Sequence, residues 1–325
     1  MDTKQPWGLR FNDAFEKYLF LITPASLMLG FLFYPVFDGF VSWVPWLFAF
    51  ITFTMGMGVG LKQFREVARM PLSGLLLFAL IHVLAPLAAY WGGNALFGEG
   101  SPFVVGLVLF TVIPLGVSSV IWIGMSGGGV AFALSMIVID SALSPVVVPF
   151  LIEYFFGTTL EFDKVGVMID MLKIIVVPTL LGVLVYELSR GRAKPAAAPY
   201  ILPVSKLAFS AVIVINAAAI APYAFDLKSH LLKLVPACVG LVLFCYATGA
   251  LFARLRSRDR GYVMTFSYLS GMRNISLGIV LALSYFEPLA AVPVVLSILI
   301  QQPAATVAQV VFRRLGWTRK ESSTV

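Results

Sequence analysis

Long apolar segments fill most of the chain, and short clusters of charged residues, proline and glycine separate them. A helix needs about 20 apolar residues to cross a bilayer core of roughly 30 Å. With the polar clusters taken as boundaries, the hydrophobic pattern predicts ten membrane-spanning helices. They cover Tyr18–Phe37, Val41–Leu61, Pro71–Phe97, Pro102–Met125, Val130–Phe156, Val165–Leu188, Tyr200–Phe225, Leu231–Ala253, Gly261–Phe286 and Pro288–Phe312.

The composition agrees with an all-α polytopic membrane protein. Of 325 residues, 60% are hydrophobic and only 12% are charged, with a mean hydropathy of +0.94; soluble domains carry about 25% charged residues. The first apolar segment is too long for the core of a signal peptide, so we expect it to remain as a membrane span. Cys238 and Cys245 lie in one apolar segment, which favours buried apolar side chains over a disulfide or metal site.

The formal charge of +7 indicates topology rather than a nucleic-acid partner, because the basic residues are concentrated in alternate connections. One side of the ten-span arrangement holds seventeen, namely Lys4, Arg10, Lys17, Lys62, Arg65, Arg69, Arg190, Arg192, Lys194, Arg254, Arg256, Arg258, Arg260, Arg313, Arg314, Arg319 and Lys320. The other side holds only Lys164, Lys228 and Lys233. Cytoplasmic loops carry such an excess. We therefore expect both termini in the cytoplasm and a multi-pass protein of the plasma or bacterial inner membrane.

The ten spans divide into two halves of five, which we interpret as repeats at 1–156 and 164–313, followed by a cytoplasmic tail at 314–325. The longest connection, Ser189–Pro199, lies between the sixth and seventh spans. Because five is an odd number, the second half enters the membrane from the opposite side, so a structural repeat would be inverted. Inverted repeats are typical of secondary transporters.

The fourth span of each half contains helix-breaking residues near its centre. In the first half these are Pro114 and Gly116 of IPLGVSS, and in the second Gly271 lies within LSGMRN. Proline removes a backbone donor and glycine weakens a helix. Broken helices at matching positions of two halves indicate a transport site. A proline kink and a glycine contact without any ligand remain the alternative.

Arg273 lies in the middle of the ninth span, and a lone cation at the bilayer centre costs about 2.5–3.5 kcal/mol on insertion scales. It should therefore face the protein interior and have a partner. The two candidates are Asp140, the acidic residue near the middle of the fifth span, and an anionic substrate.

Other polar residues within the predicted spans complete the candidate site. His82 is either a hydrogen-bonded core residue or a proton carrier, and the hydroxyl groups either face a cavity or bond to their own helix. Gln301 and Gln302, followed by Pro303, are expected to interrupt the tenth span. The candidate residues for substrate or ion binding are Arg273, Asn274, Ser270, Met272, Ser118, Ser119, Asp140, His82 and Gln301.

The sequence contains no nucleophile next to a base, no phosphate-binding loop and no nucleotide-binding pattern, which argues against an enzyme. We expect no cofactor and no nucleic-acid partner; the expected partners are a small organic anion and the lipid bilayer. The sequence leaves the oligomeric state open. It also leaves open whether sodium or a proton is the coupling ion.

Several motifs in register resemble the bile acid/sodium symporter family. They are GMGVGLKQF from Gly56, PLGVSS from Pro114, LSPVVVP from Leu143, MLKIIVVPTLLGVLV from Met171, and GMRN from Gly271 with SLG after it. The resemblance implies ten helices in two inverted repeats, with a core domain of spans 3–5 and 8–10 and a panel domain of spans 1, 2, 6 and 7. It also implies that spans 4 and 9 cross at their breaks, and that amphipathic organic anions move through the cleft between core and panel.

The resemblance also implies sodium-ligand positions, most of which this sequence has replaced. A hydroxyl is kept at Ser119 and an amide at Asn274, whereas the other implied ligand positions hold Val120, Ala133, Ile137, Leu269 and Arg273. We interpret Arg273 as a replacement for at least one sodium ion, since two nearby cations in a poorly screened site repel each other.

The predicted function is therefore secondary active transport of an organic anion, either bile-acid-like or a small carboxylate. Alternatives are a proton-coupled or uncoupled transporter, or an exporter. A membrane sensor or scaffold is the alternative outside transport.

Overall fold

The computed structural model describes residues 5–157 and 163–317, without the side chains of residues 19–20, 63–66 and 223–229. The predicted topology residues Lys4, Arg319 and Lys320, and the end of the predicted tail, lie outside these ranges, as do the side chains of Arg65 and Lys228. Seven helical stretches in the described part are long and apolar enough to cross a membrane. They are Tyr34–Gly56, Pro71–Phe97, Val130–Phe156, Lys164–Leu188, Ala193–Ile220, His230–Arg256 and Pro288–Arg314. The chain is thus an all-helical, multi-pass membrane protein.

The helices follow one another with short connections. In chain order they are α1 (Trp7–Lys17), α2 (Leu19–Leu32), α3 (Tyr34–Phe37), α4 (Val44–Gly56), α5 (Phe64–Arg69), α6 (Pro71–Ala79), α7 (Ala85–Phe97), α8 (Pro102–Val112), α9 (Ser119–Ser126), α10 (Val130–Phe156), α11 (Lys164–Met171), α12 (Val177–Leu188), α13 (Ala193–Ile220), α14 (Ala224–Arg256), α15 (Arg260–Gly271), α16 (Ile275–Tyr285) and α17 (Ala291–Arg314). A 3₁₀ segment, Asp38–Trp43, joins α3 to α4. The π-helical segments Leu80–Leu84 and Leu172–Val176 join α6 to α7 and α11 to α12.

Three of the ten predicted spans are absent from the seven long apolar stretches. The first corresponds to α2, which has 14 residues. The fourth is divided into α8 and α9 and the ninth into α15 and α16, so none of these half-helices alone is long enough to cross a bilayer. Ten crossings therefore remain a prediction.

Several predicted boundaries were wrong. The first span ends at Leu32, not Phe37, and a new helical stretch begins at Tyr34, with Pro35 in its first turn. The expected connection Ser189–Pro199 is helical from Ala193 onwards. Pro195 is compatible with this because it lies in the first turn, where backbone N–H groups have no helical acceptor.

The predicted interruption of the tenth span at Gln301 and Gln302 was also wrong. Helix α17 continues through both residues and through Pro303 to Arg314. The proline removes a single backbone donor, and neighbouring groups in a membrane protein can compensate for such a loss without a break. The side chains of Gln301 and Gln302 therefore project from a continuous helix.

The two divided helices meet at their breaks. Between α8 and α9 the backbone is non-helical around Leu115, and between α15 and α16 it is non-helical around Arg273. The two residues form an isolated antiparallel bridge. Gly116 N donates to Met272 O at 3.0 Å, and Asn274 N donates to Pro114 O at 2.8 Å. The extended segments thus satisfy part of each other's backbone hydrogen bonding in the interior.

Two groups of helices pack around this crossing. The half-helices α8, α9, α15 and α16 lie among α7, α10, α14 and α17, whereas α2, α4, α12 and α13 pack mainly on one another. Glycine permits close contact in the second group: a Cβ atom on Gly182 of α12 would lie 2.4 Å from Phe53 O of α4. Small residues allow such close approach of membrane helices.

Replacing Gly116 by alanine tests whether the fold depends on the crossing. A Cβ atom there would lie 2.7 Å from Arg273 O and 2.9 Å from its carbonyl carbon, both backbone atoms that cannot rotate away. We expect Gly116→Ala to lower the unfolding free energy by about 1–3 kcal/mol, measured as a lower thermal midpoint in detergent. The matched control is Gly240→Ala in α14, where no atom beyond its chain neighbours and the backbone of its own helix lies within 4 Å of the added carbon. Equal midpoints for the two variants would contradict a tight crossing.

Candidate functional site

The extended residues at the crossing receive hydrogen bonds from side chains of two other helices. Asp140 on α10 accepts from Leu115 N through Oδ2 at 2.7 Å. Gln301 on α17 accepts from Arg273 N through Oε1 at 2.8 Å, and its Nε2 donates to Arg273 O at 3.3 Å. Each paired residue of the bridge thus has its N–H satisfied by one polar side chain from a long helix.

Asp140 also binds a buried histidine. His82 Nε2 lies 2.6 Å from Asp140 Oδ1, and both residues are almost fully buried, with 2% and 1% of their surface exposed. The phenyl ring of Phe78, one turn earlier on α6, packs against the imidazole at 4.5 Å. A single carboxylate therefore joins the π segment that carries His82 to the break that carries Leu115.

Arg273 is buried with unmade hydrogen bonds. It is 2% exposed, and Nη2 donates to Ile81 O at 3.4 Å. Its Nε and Nη1 atoms are buried and have no hydrogen-bond partner among the described residues. Of the two candidate partners of Arg273, Asp140 makes no hydrogen bond to it within the described structure; its carboxylate oxygens bond His82 and Leu115 N.

The free carbonyl that Arg273 contacts follows from local sequence. In the π segment the N–H of Ala85 bonds to Leu80 O, one residue earlier than in an α-helix. The next donor along the chain would be Pro86, which has no N–H. The carbonyl oxygen of Ile81 is thereby left available to the guanidinium.

The remaining predicted site residues lie at or beside the crossing. Met272 is fully buried, and the buried hydroxyl of Ser270 has no hydrogen-bond partner in the described part of the chain. Ser119 Oγ donates to Gly116 O at 2.7 Å. Asn274 and Ser118 are partly exposed at the starts of α16 and α9.

The implied sodium positions are poor in oxygen. Leu269, Ala133 and Ile137 are buried apolar side chains. Within the described residues, no group of three or more His, Cys, Asp or Glu side chains could hold a metal ion. Sodium ions require several oxygen ligands, so these side chains do not form such a set.

Two contacts were missed from sequence alone: the bond between His82 and Asp140, and the role of Gln301 at the backbone of Arg273. A sequence signal existed for the second. Asp140 and Gln301 lie on the last predicted span of their respective halves, so an inverted repeat would bring both to the crossing.

A family model described as the sodium bile acid symporter family matches residues 45–227. The Bacillus subtilis protein YbaS is 35% identical over 283 residues, which cover 87% of this chain and 92% of YbaS.

Two further relatives have names that specify transport. YocS of Bacillus subtilis, named as a sodium-dependent transporter, is 26% identical and covers 82% of this chain and 81% of its own length. The Arabidopsis thaliana chloroplast protein BASS1, named as a probable sodium/metabolite cotransporter, is 26% identical over 84% of this chain and 68% of its own length. With this extent of similarity, the chain belongs to the sodium bile acid symporter family and is a transporter.

Proposed function

We propose that this protein is a secondary active transporter of an organic anion, and that Arg273 binds the anion and replaces at least one coupling sodium ion. The observation that carries the proposal is the buried guanidinium at the crossing of two divided helices, whose Nε and Nη1 find no hydrogen-bond acceptor among the residues that the structure describes.

A buried cation with unmade hydrogen bonds is unfavourable, and an anion that accepts them lowers its free energy. Burial removes water from the guanidinium, and a buried charged group whose hydrogen bonds are unmade costs several kcal/mol. The cost falls when another acceptor takes these hydrogen bonds. A carboxylate offers two oxygen acceptors in the geometry that a guanidinium matches. Since Asp140 bonds His82 and Leu115 N rather than Arg273, a substrate carboxylate or sulfonate is the partner that suits the free donors of this guanidinium.

The same charge acts against sodium. A cation in contact with the guanidinium would be repelled in a site with little water. The residues at the other implied ligand positions, Leu269 and Ile137 among them, supply no oxygen from their side chains. The names of YocS and BASS1 specify sodium, but we do not extend the same sodium dependence to this chain.

The proposed architecture has ten spans in two inverted repeats, residues 1–156 and 164–313. The matching roles of Asp140 and Gln301 support it, because each holds the N–H of one bridge residue from the last span of its half. Spans 3–5 and 8–10 form the core domain, and spans 1, 2, 6 and 7 form the panel domain. The separate packing of α2, α4, α12 and α13 supports this division.

Alternating access would move the panel relative to the core around the crossing. Helix α16 packs on α13 and α4, and Tyr285 at its end donates a hydrogen bond to Asp170 of α11. These contacts hold core and panel together at the end of the molecule where α16 finishes. The half-helices α9 and α15 pack chiefly on core helices. We infer that the cleft opens toward the side on which α9 ends and α15 begins.

In the proposed topology that side is the cytoplasm, and both termini lie there. The connection at Arg254–Arg260 carries four arginines on this side, whereas the connection after α7 carries none. The protein would then reside in the plasma membrane, with the α16 end facing outward.

Reporter fusions test this topology. We expect alkaline phosphatase fused after Gly100 to be active and green fluorescent protein fused after Arg258 to fluoresce, because the first reporter works only outside and the second only inside the cytoplasm. As controls, the two reporters are exchanged between the sites. The exchanged fusions should show neither phosphatase activity nor fluorescence. The reverse pattern at either site would contradict the proposed orientation and the count of spans.

Arg273→Gln tests the anion site. The substitution keeps a polar side chain but removes the charge, and charge-assisted hydrogen bonds contribute about 1.5–3 kcal/mol. We expect a loss of about tenfold or more in the affinity for a probe anion such as taurocholate, measured by scintillation proximity on purified protein. Arg258→Gln, at an exposed loop position, is the control and should bind like the wild type. Unchanged affinity in Arg273→Gln would contradict the proposal.

Sodium replacement tests the second part of the proposal. In proteoliposomes containing the wild type, we expect exchange of labelled taurocholate to continue when all sodium is replaced by choline. The physical reason is that the guanidinium supplies the positive charge permanently. Uptake that requires sodium in the wild type, and equally in Arg273→Gln, would refute the replacement of sodium by Arg273.

A further inference from the structure

His82 carries an unused proton acceptor. Its Nε2 faces Asp140, which accepts from Leu115 N as well. A carboxylate that receives two hydrogen bonds acts as an acceptor at both oxygens, which assigns the imidazole proton to Nε2. The other ring nitrogen, Nδ1, is buried and has no hydrogen-bond partner among the described residues. In the neutral ring this atom bears a lone pair, so it is the place where a proton would bind.

The guanidinium of Arg273 reaches the same short segment. Its Nη2 contacts Ile81 O, and Ile81 immediately precedes His82 in the π segment. Asp140 contributes one negative charge and Arg273 one positive charge, so the cluster with a neutral imidazole has no net charge. An anion bound at the free Nε and Nη1 of Arg273 would make the cluster negative. A proton on His82 would restore neutrality.

Few other titratable groups share this interior. Helix α8, which packs on the π segment, carries none. Among the described residues of the elements that pack on the π segment or on α10, the buried titratable side chains are Cys238, Cys245, Tyr246 and Tyr268; the others, among them Tyr90, Tyr262, Asp170, Arg69 and Lys173, are partly or fully exposed. Tyr246 and Tyr268 use their hydroxyls to bond Gln301 O and Ser126. Among the described groups of this cluster, His82 has a buried ring nitrogen whose lone pair accepts no hydrogen bond, so it is the atom placed to take up a proton.

We propose that His82 Nδ1 is a proton-binding site coupled to anion binding at Arg273, so that one proton travels with each anionic substrate. This inference rests on the proposed function and names its coupling ion. The proton comes from the aqueous phase to which the cleft opens, binds the Nδ1 lone pair, and leaves His82 as an imidazolium bonded to Asp140.

The coupling is reciprocal. If the anion increases the affinity for the proton, the proton increases the affinity for the anion by the same factor. His82 would be half-protonated at one pH in the anion-bound protein and at a lower pH in the anion-free protein. Between these two pH values, uptake of one proton changes the anion affinity by up to about tenfold per pH unit. Sodium would then be dispensable, because the proton supplies a mobile positive charge in its place.

The chain offers a direct spectroscopic test, because it contains only two histidines and the second, His230, is exposed on α14. In the variant His230→Gln, with ¹⁵N-labelled histidine and reconstituted in lipid, the imidazole signals come from His82 alone. By solid-state NMR we expect the Nε2–H tautomer at high pH and an imidazolium at low pH. Taurocholate, or benzoate as a small probe, should move the midpoint to higher pH. A ring that stays neutral from pH 5 to 8 with and without both probes would overturn the inference.

Asp140→Asn in the same background separates proton binding from a purely structural hydrogen bond. The asparagine can still accept from Leu115 N but has no charge, so the midpoint of the His82 titration should fall by at least one pH unit. An unchanged midpoint would contradict electrostatic coupling within the cluster. If this variant does not fold, the response of the His230→Gln protein to the probe anions decides the matter alone.

A transport assay provides the second test of the inference. In sodium-free proteoliposomes, an inward pH gradient should drive accumulation of the labelled probe by the wild type and by His230→Gln, and an entrapped pH dye should report proton entry. The variant His82→Gln has an amide that can still donate to Asp140. In this variant the pH gradient should not drive accumulation of the probe, and the dye should report no proton entry with it. Gradient-driven accumulation in His82→Gln would refute the inference.

Counterflow separates the two proposals. Exchange of labelled for unlabelled probe needs no driving gradient, so wild-type exchange together with net accumulation that ignores the pH gradient would overturn proton coupling while preserving the transporter. Absence of exchange with both probes would count against the proposed function, and the NMR titration would still decide whether His82 binds a proton in response to an anion.

Discussion

The structure depends on satisfying extended backbone in an interior without water. A membrane helix satisfies its own N–H and C=O groups, and a break in it leaves several of them exposed to a medium in which each unmade bond costs several kcal/mol. Here two breaks compensate one another through the bridge between Leu115 and Arg273. Asp140 and Gln301 then supply acceptors for the two N–H groups that the bridge does not pair. Both divided helices are thereby possible only together.

This use of Asp140 determines the electrostatics of the site. A carboxylate that holds a backbone N–H and an imidazole has no oxygen in direct contact with the guanidinium of Arg273. The arginine is instead bound weakly, at 3.4 Å, by a carbonyl that a π segment and a proline leave free. The demands of the backbone therefore explain why a buried cation retains two unused donors. The same demands explain why that position suits a negatively charged ligand.

Sequence alone predicted the positions of the breaks, because Pro114 and the glycines disfavour helix whatever surrounds them. It predicted the burial of Arg273 from the cost of exposing a cation to lipid. It did not predict the partner of that arginine. Spacing along the chain does not reveal which of several polar side chains lies across the crossing, and His82 is 58 residues from the carboxylate it binds. The continuity of α17 through Pro303 was likewise not evident from the local sequence.

A permanent charge and a coupling ion perform different tasks in a transporter. Sodium in a symporter attracts the substrate and also dissociates, so its gradient drives the cycle. The guanidinium of Arg273 can do only the first, since it is covalently attached and remains charged throughout. Accumulation against a gradient then requires a separate charge that binds and leaves. In our proposal that charge is a proton on the lone pair of His82, while Asp140 continues to hold the backbone. A fixed arginine and a histidine in the same cluster would then divide between them the two tasks that a sodium ion performs alone.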